Sequence, residues 1–318
     1  MNQHEIIIYY KYTPIADPAA FVAWLRLQCE QIGIKGRMLV AKEGINGSVE
    51  GTPEQIAEYQ NRLRAQTFCD LANVWFKSSP GTGHAFKKLK VKVRSEIVAT
   101  GLPADTDVDP NIDTGTHIDA AKLHEWINSG EQFEIIDMRN EYEYNVGHFA
   151  GSHNSTMGNF RDLPVITPKF DHLKTKKVLT VCTYGVRCEK ASGYLKQQGF
   201  QDVYQLHGGI GTYLKQYPGQ DFHGSLYVFD DRMTEQFTPD YTKVGQCVAC
   251  AATSERFGNC AWDECHKQLI ICESCSVNKV WCSPGCRVQL RGYEKPSRLS
   301  NFRQLLARGF RLFARRAS

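Results

Sequence analysis

Apolar positions in the first hundred residues recur with the twofold period of strands in some stretches and the 3.6-residue period of helices in others. Glu5 to Tyr12 is dense in Ile and Tyr and predicts a strand. Pro18 to Ile32 carries Phe21, Leu25, Cys29 and Ile32 at helical spacing behind Asp17, a residue type that caps helix N-termini. Arg37 to Ala41 and Ser48 to Glu50 predict strands around Glu43-Gly-Ile-Asn-Gly47, a turn signal. Thr52-Pro53 opens a second helix ending near Ala65, and Lys88 to Arg94 closes the run as a strand. The order βαββαβ predicts a ferredoxin-like or acylphosphatase-like domain over residues 1–100.

Residues 101–117 are acidic, turn-rich and weakly periodic, which predicts a linker. Helical and strand patterns then alternate over residues 118–222: a helix near Asp119 to Ser129, strands at Phe133 to Asp137 and Val178 to Cys182, a helix near Glu189 to Gln198, and a strand at Val203 to Leu206. Such alternation predicts a parallel sheet covered by helices, so the fold class is α/β. A Cys-rich module is expected over 223–290 and a basic tail over 291–318.

Charge refines this picture locally. The net charge is only +4, yet Arg287 to Arg316 holds nine Lys/Arg against one acid, Glu294. In the tail, Leu299, Phe302, Leu305, Leu306, Phe310 and Phe313 lie among arginines, the pattern of a basic amphipathic helix. Docking on its own protein, contact with RNA and contact with a membrane surface all remain open for it. In the Lys88 strand, Lys88, Lys90, Lys92 and Arg94 point one way and Leu89, Val91 and Val93 the other. This is either a solvated face that discourages edge pairing or a polyanion-binding face. The N-terminus lacks a charged region, an apolar core of sufficient length and a small-residue cleavage site, and no apolar run is long enough to span a membrane, so the cytoplasm is the expected location.

Cysteine usage fits metal binding better than a secreted disulfide scaffold, since eight of the twelve cysteines crowd into Cys247 to Cys286 of a 318-residue chain; disulfides or redox-active thiols are the alternatives for that cluster. They fall into the pairs Cys247/Cys250, Cys260/Cys265, Cys272/Cys275 and Cys282/Cys286. Four thiolates complete a tetrahedral zinc site, so eight predict two structural zinc ions. Spacing does not decide which pairs combine, although first with third and second with fourth is attractive. Cys29 and Cys69 are read as inert thiols.

Cys182 stands apart. It lies at the carboxyl end of Val178 to Val181, where ligands of open α/β sheets bind, and heads the loop Thr183-Tyr184-Gly185-Val186-Arg187-Cys188. Backbone N–H groups of that loop, a following helix N-terminus and Arg187 would lower the pKa of Cys182 and make it a nucleophile near neutral pH. Cys188 could resolve a persulfide or form a transient disulfide, or simply face the core. No flavin or nicotinamide-nucleotide motif is present.

Cys182-Thr-Tyr-Gly185-Val-Arg187 resembles the six-residue active-site loop of rhodanese domains. Asp137-Met-Arg139, Glu143, Gly147-His148 and Gly151 resemble that family's upstream segment, and Leu206-His-Gly208-Gly209-Ile210 its closing segment. The resemblance implies that Cys182 can carry sulfur as a persulfide; Asp137, Arg139, Glu143 and His148 read chiefly as polar packing. With Val40-Ala-Lys42-Glu-Gly-Ile-Asn-Gly47, the Gly83 to Arg94 segment, Arg187-Cys188-Glu-Lys190-Ala, Val228-Phe-Asp230-Asp231-Arg232 and the Cys-rich end, the order of parts resembles the bacterial tRNA uridine hydroxylase family. Tyr184 departs from it, because that family usually has Gly there. The resemblance implies oxygen-dependent hydroxylation of C5 of uridine 34 in tRNA with dioxygen as co-substrate; if the strand face of Lys88, Lys90, Lys92 and Arg94 binds a polyanion, tRNA is the expected one. A sulfurtransferase acting through a Cys182 persulfide and a non-catalytic RNA- or protein-binding adaptor are the alternatives.

Overall fold

Ile7 and Tyr9 of the first strand are fully buried against two helices, and their neighbours Ile6 and Ile8 face the other way, so one strand serves two interfaces. The computed structural model describes residues 4–102, 106 and 108–292. Its first domain runs β1 (His4–Tyr12), α1 (Pro18–Ile32), β2 (Lys35–Ala41), β3 (Gly44–Gly51), α2 (Pro53–Ala65), β4 (Lys77–Gly81), β5 (Lys90–Val93). The Asp17 carboxylate accepts from the N–H groups of Ala19 and Ala20 at the start of α1, and Gly33 ends that helix at φ 82°. The sheet order is β4-β1-β3-β2-β5.

Three expectations change here. The fourth strand of the βαββαβ pattern is Lys77–Gly81, not the lysine-rich strand, which adds a fifth strand parallel to β2 at the far edge. Lys-Ser-Ser-Pro-Gly carries no apolar alternation; it pairs because β4 is an edge, where Pro80 is tolerated. The β2–β3 turn is Lys42-Glu43, since Ala41 pairs with Gly44. The rest of the supposed turn, Ile45 to Gly47, lies in β3, where Ile45 is core and a side chain at Gly47 would meet the Tyr9 ring. Finally, Val93 is 44% exposed, so the apolar face of the lysine strand reaches only to Val91.

The second domain comprises β6 (Thr116–Ile118), α3 (Ala120–Ser129), β7 (Glu134–Asp137), α4 (Glu141–Val146), β8 (Gly147–Phe149), β9 (His153–Asn154), α5 (Leu163–Ile166), β10 (Lys177–Val181), α6 (Val186–Gln197), β11 (Asp202–Leu206) and α7 (Gly209–Gln216). Strands β6-β11-β10-β7-β9 form an all-parallel sheet. Cores lie on both of its faces, one with Leu123, Ile210 and Tyr213, the other with Leu163, Ala191 and Leu195. Helix α6 starts at Val186, three residues earlier than its periodicity predicts, because Gly185 takes φ 99° and turns the chain at once. Arg187 and Cys188 therefore sit in the first helical turn.

Short antiparallel pairs build the rest: β12 (Phe222–Gly224) against β8, β13 (Leu226–Tyr227) against β14 (Thr234–Glu235), and β15 (Phe257–Asn259) against β16 (Gln268–Ile270). Helices α8 (Glu273–Ser276) and α9 (Pro284–Gly292) follow. The basic amphipathic helix expected beyond them lies outside the described residues. Among the described residues no helix is long and apolar enough to cross a membrane.

Candidate active site and cysteine clusters

Parallel strand β10 ends at Val181 and delivers Cys182 to the carboxyl edge of the sheet, beneath the N-terminus of α6. The Gly185 N–H donates to Cys182 Sγ at 3.2 Å. Burial opposes ionisation of this thiol, but the Cys188 thiol, the Arg187 guanidinium and the N–H groups of Cys188 and Arg187 outweigh it and bring its pKa down to about 6. Cys188, also fully buried, is pushed the other way by burial and by Cys182. One thiol of the pair is thus set to ionise and the other to stay protonated.

Arg187 is fixed by a bidentate pair with Glu143, at 2.7 and 2.8 Å, and donates to Thr183 Oγ1 at 3.1 Å. Glu143 also accepts from the Asn140 N–H at 3.1 Å, so one carboxylate caps α4 and aims the guanidinium. Asp137 and Arg139 form a separate, fully buried pair that also holds the Gly147 carbonyl at 2.6 Å, and His148 stacks on Tyr144 and bonds its carbonyl. These interactions are packing of the upstream segment, distinct from the thiol.

The Gly208-Gly209 segment closes the loop from behind. Ile210 and Gly211 N–H groups donate to the carbonyls of Cys182 and Thr183, both at 2.9 Å. A Cβ at Gly209, whose φ is +71°, would come within 2.6 Å of the Cys182 carbonyl oxygen and the Tyr184 Cα. Tyr184 has no left-handed strain; its ring lies against Gly211 and its hydroxyl donates to Glu235 at 3.3 Å. The larger residue leaves the bond to Cys182 intact.

A cavity of about 430 Å³ opens over this loop. Its floor is Cys182, Thr183, Tyr184, Val186 and Arg187; its opposite wall is the helix-free face of the first sheet, with Ile8, Leu39, Asn46 and Ser48. Arg37, Arg94 and Arg161 also line it and are exposed. Register pairs Arg37 with Lys90 and Leu39 with Lys92, which puts both lysines on that same face beside the cavity. Lys88 is exposed next to them. Sequence reasoning missed Arg37 and Arg161, which share no motif with the loop, and gave no role to Phe229 although its segment, Val228 to Arg232, is among those that carry the resemblance. It also missed Lys77, buried between the Tyr10 and Trp75 rings, whose pKa burial lowers to about 8 against the pull of Cys182 and Glu189.

All eight clustered cysteines are free and gather in two groups: Cys247, Cys250, Cys272 and Cys275, and Cys260, Cys265, Cys282 and Cys286. Sulfurs within each group lie within 4.8 Å of one another, and several neighbours are 3.4 to 3.6 Å apart. Disulfide sulfurs sit at about 2 Å, whereas thiolates around a tetrahedral ion of Zn–S length ~2.3 Å lie about 3.8 Å apart. The donor sets can therefore hold two metal ions. The alternating pairing is the one the fold adopts.

Three family models match the chain in order: an acylphosphatase-like domain described as UPF0176 over residues 4–97, a rhodanese-like domain over 119–216, and a rhodanese C-terminal domain over 223–287. A protein of Cytophaga hutchinsonii is 39% identical over 90% of this chain and 91% of its own length. One of Bacillus licheniformis is 40% identical over 94% and 93%, and one of Staphylococcus saprophyticus 38% identical over 95% and 99%. Each bears the name tRNA uridine(34) hydroxylase.

Proposed function

The chain belongs to the tRNA uridine(34) hydroxylase family, and from that premise we propose that it hydroxylates C5 of uridine 34 in the tRNA anticodon loop, with dioxygen as co-substrate and Cys182 as nucleophile. The observation that carries this reading is the cavity of about 430 Å³ that sets a low-pKa thiol opposite a sheet face bearing Arg37, Lys90, Lys92 and Arg94. A nucleotide can be drawn into such a space while the flanking phosphates meet the cations. Uridine 34 lies in a single-stranded loop, so unstacking it costs little.

In this reading the Cys182 thiolate adds to C6 of uracil, and the electron pair moves to C5. The C5 carbanion adds dioxygen and, once protonated, becomes a hydroperoxide. A two-electron reductant of the thiol class cleaves the O–O bond, leaving a hydroxyl at C5 and releasing water. Loss of the C5 proton then expels Cys182 from C6 and restores the double bond. The sum is uridine, dioxygen, two electrons and two protons giving 5-hydroxyuridine and water. Arg187 and the α6 amides hold the thiolate at the start and receive it again at the end. The two four-cysteine groups suit structural zinc, remote in role from this chemistry, and a tRNA substrate makes the cytoplasm the expected compartment.

The test is nucleoside analysis of unmodified tRNA after incubation with purified protein, dioxygen and a dithiol. Wild type is expected to form 5-hydroxyuridine and Cys182→Ala to form none. Full activity in that variant would overturn the role of Cys182, and thiolated nucleosides in place of hydroxylated ones would move the assignment to sulfur transfer.

A further inference from the structure

Phe229 is an aromatic side chain left in the open at the edge of the cavity. It lines the cavity together with Cys182 and Arg187, yet 51% of it is exposed, unlike Phe86 in the same lining at 9%. The Arg187 guanidinium lies over its ring at 5.4 Å from the centroid, and Tyr227 meets it at 5.1 Å and 84°. Those two neighbours fix the ring's orientation and leave the remaining surface bare. The proposed mechanism gives Phe229 no part.

The chain on either side of it is tied down by hydrogen bonds. Val228 donates to the Met233 carbonyl at 2.9 Å and Met233 to the Asp230 carbonyl at 3.0 Å, which closes a tight turn around Phe229. Asp230, itself buried, takes Arg232 through Nε at 2.8 Å and Nη2 at 2.7 Å. Arg232 reaches Ser79 Oγ and the Pro80 carbonyl of β4, both at 3.1 Å, and the Asp231 N–H reaches the Ala85 carbonyl at 2.9 Å. The turn is therefore strapped to the first domain, next to Phe86. A single half-exposed aromatic is ordinary on a protein surface; this one differs in lining the cavity over Cys182 with its ring already oriented by Arg187 and Tyr227. It has the form of a stacking platform, since every base offers a π face and a preorganised ring loses little entropy on binding.

We propose that Phe229 is the stacking platform for the nucleobase that enters the cavity, so that the segment after β13 completes a base-binding site whose reactive group comes from the second domain and whose cations come from the first. This rests on the reading of Cys182 as the group that meets a tRNA base. The ring held over Arg187 would place the base within the same enclosure as the thiol, and the arginines and lysines of the first sheet would take the adjoining phosphates.

The experiment uses the full chain and an anticodon stem-loop RNA with uridine at position 34, alongside the same RNA abasic at that position. Stacking on an aromatic side chain is worth ~1–3 kcal/mol per base, which is about 5- to 150-fold in affinity. Phe229→Leu is expected to weaken binding of the uridine RNA within that range and to leave the abasic RNA unchanged, while Phe229→Tyr and Phe229→Trp keep wild-type affinity. Equal binding of the uridine RNA by wild type and Phe229→Leu would overturn the proposal. So would an equal weakening on both RNAs, which would mark a structural role. Because these are binding measurements, their outcome is separate from that of the hydroxylation assay: failure of wild type to form 5-hydroxyuridine would sink the reading of the reaction while leaving the stacking result intact.

Discussion

Replacing Arg187 by Met separates what the Arg187–Glu143 pair does for the fold from what it does for the thiol. Both side chains are almost wholly buried, at 8% and 0% exposure, and share two short bonds. Removing the guanidinium leaves the Glu143 carboxylate buried with only the Asn140 N–H and, at 3.4 Å, the Thr183 hydroxyl. Breaking a buried pair from one side typically costs about 3–5 kcal/mol, a large part of a total stability of ~5–15 kcal/mol. Adding Glu143→Gln removes the stranded charge and keeps an acceptor for the Asn140 N–H. A neutral replacement of both partners is often close to neutral in stability, so the double variant is expected to recover most of the deficit. The thiol is expected to behave differently. Its pKa of about 6 results from burial being outweighed by Cys188, Arg187 and backbone donors. Without the guanidinium it should rise in both variants, and at least as far in the single variant, where the stranded Glu143 carboxylate also opposes the thiolate. Urea unfolding reads the first quantity, and the pH dependence of Cys182 alkylation, followed by mass spectrometry of its peptide, reads the second. At pH 6.5, just above the wild-type value of about 6, alkylation should be slower than wild type in both variants. Recovery of the low thiol pKa in the double variant, or equal instability of the two, would refute the division of roles.

The same alkylation assay on wild type checks the sign of the pH dependence: with a depressed pKa the reactive thiolate accumulates as pH rises through about 6 and is complete by neutrality, and a midpoint near the ordinary thiol value of about 8.5 would contradict it. Metal analysis of protein purified without added metal is expected to give two zinc equivalents per chain, with Cys247→Ser and Cys260→Ser each losing one; loss of both ions in either variant would contradict two separate groups. Changing Lys88, Lys90 and Lys92 together to Gln should weaken tRNA binding and flatten the dependence of log affinity on log salt by about 0.7 for each single-strand phosphate no longer neutralised. An unchanged slope would return β5 to a solvated edge.

What was legible in the sequence was local. Cys182, Gly185 and Arg187 fall within six residues, and a strand end followed by a helix start already dictates how they meet. The cysteine pairs were legible for the same reason, but their combination was not, because Cys250 and Cys272 approach to 3.6 Å only through the β15–β16 hairpin that separates them in sequence. Strand β4 was hidden because pairing at an edge depends on backbone groups and a partner, not on apolar alternation. Arg37 and Arg161 have no sequence signal at all, and the Val228 to Arg232 segment gives no hint that its Phe229 lines a cavity. Each is an ordinary side chain until the fold brings it to the lining of one cavity.

That convergence depends on a single helical turn. Val186, Glu189 and Lys190 are spaced so that they share one face of α6, while Arg187 and Cys188 lie on the side of the thiol. The first face belongs to the interface with the first domain. Tyr12 donates to the Val186 carbonyl at 3.2 Å, Tyr10 to Glu189 at 3.0 Å, and Lys190, with a side chain 1% exposed, sits between Glu43 at 2.6 Å and Glu96 at 2.9 Å. Both carboxylates are held in turn, Glu43 by the Ile97 N–H at 2.7 Å and Glu96 by the Thr100 hydroxyl at 2.9 Å. Such a buried cluster adds little net stability, because desolvation consumes most of the Coulombic gain. Its effect is geometric. The apolar contacts of the interface, such as Ala41 and Ile97, have no directional preference and would tolerate sliding. A lysine bonded on two sides tolerates none without leaving a charge unpaired. The turn that lowers the pKa of Cys182 thus also carries the bonds that hold the opposite wall of the cavity in place.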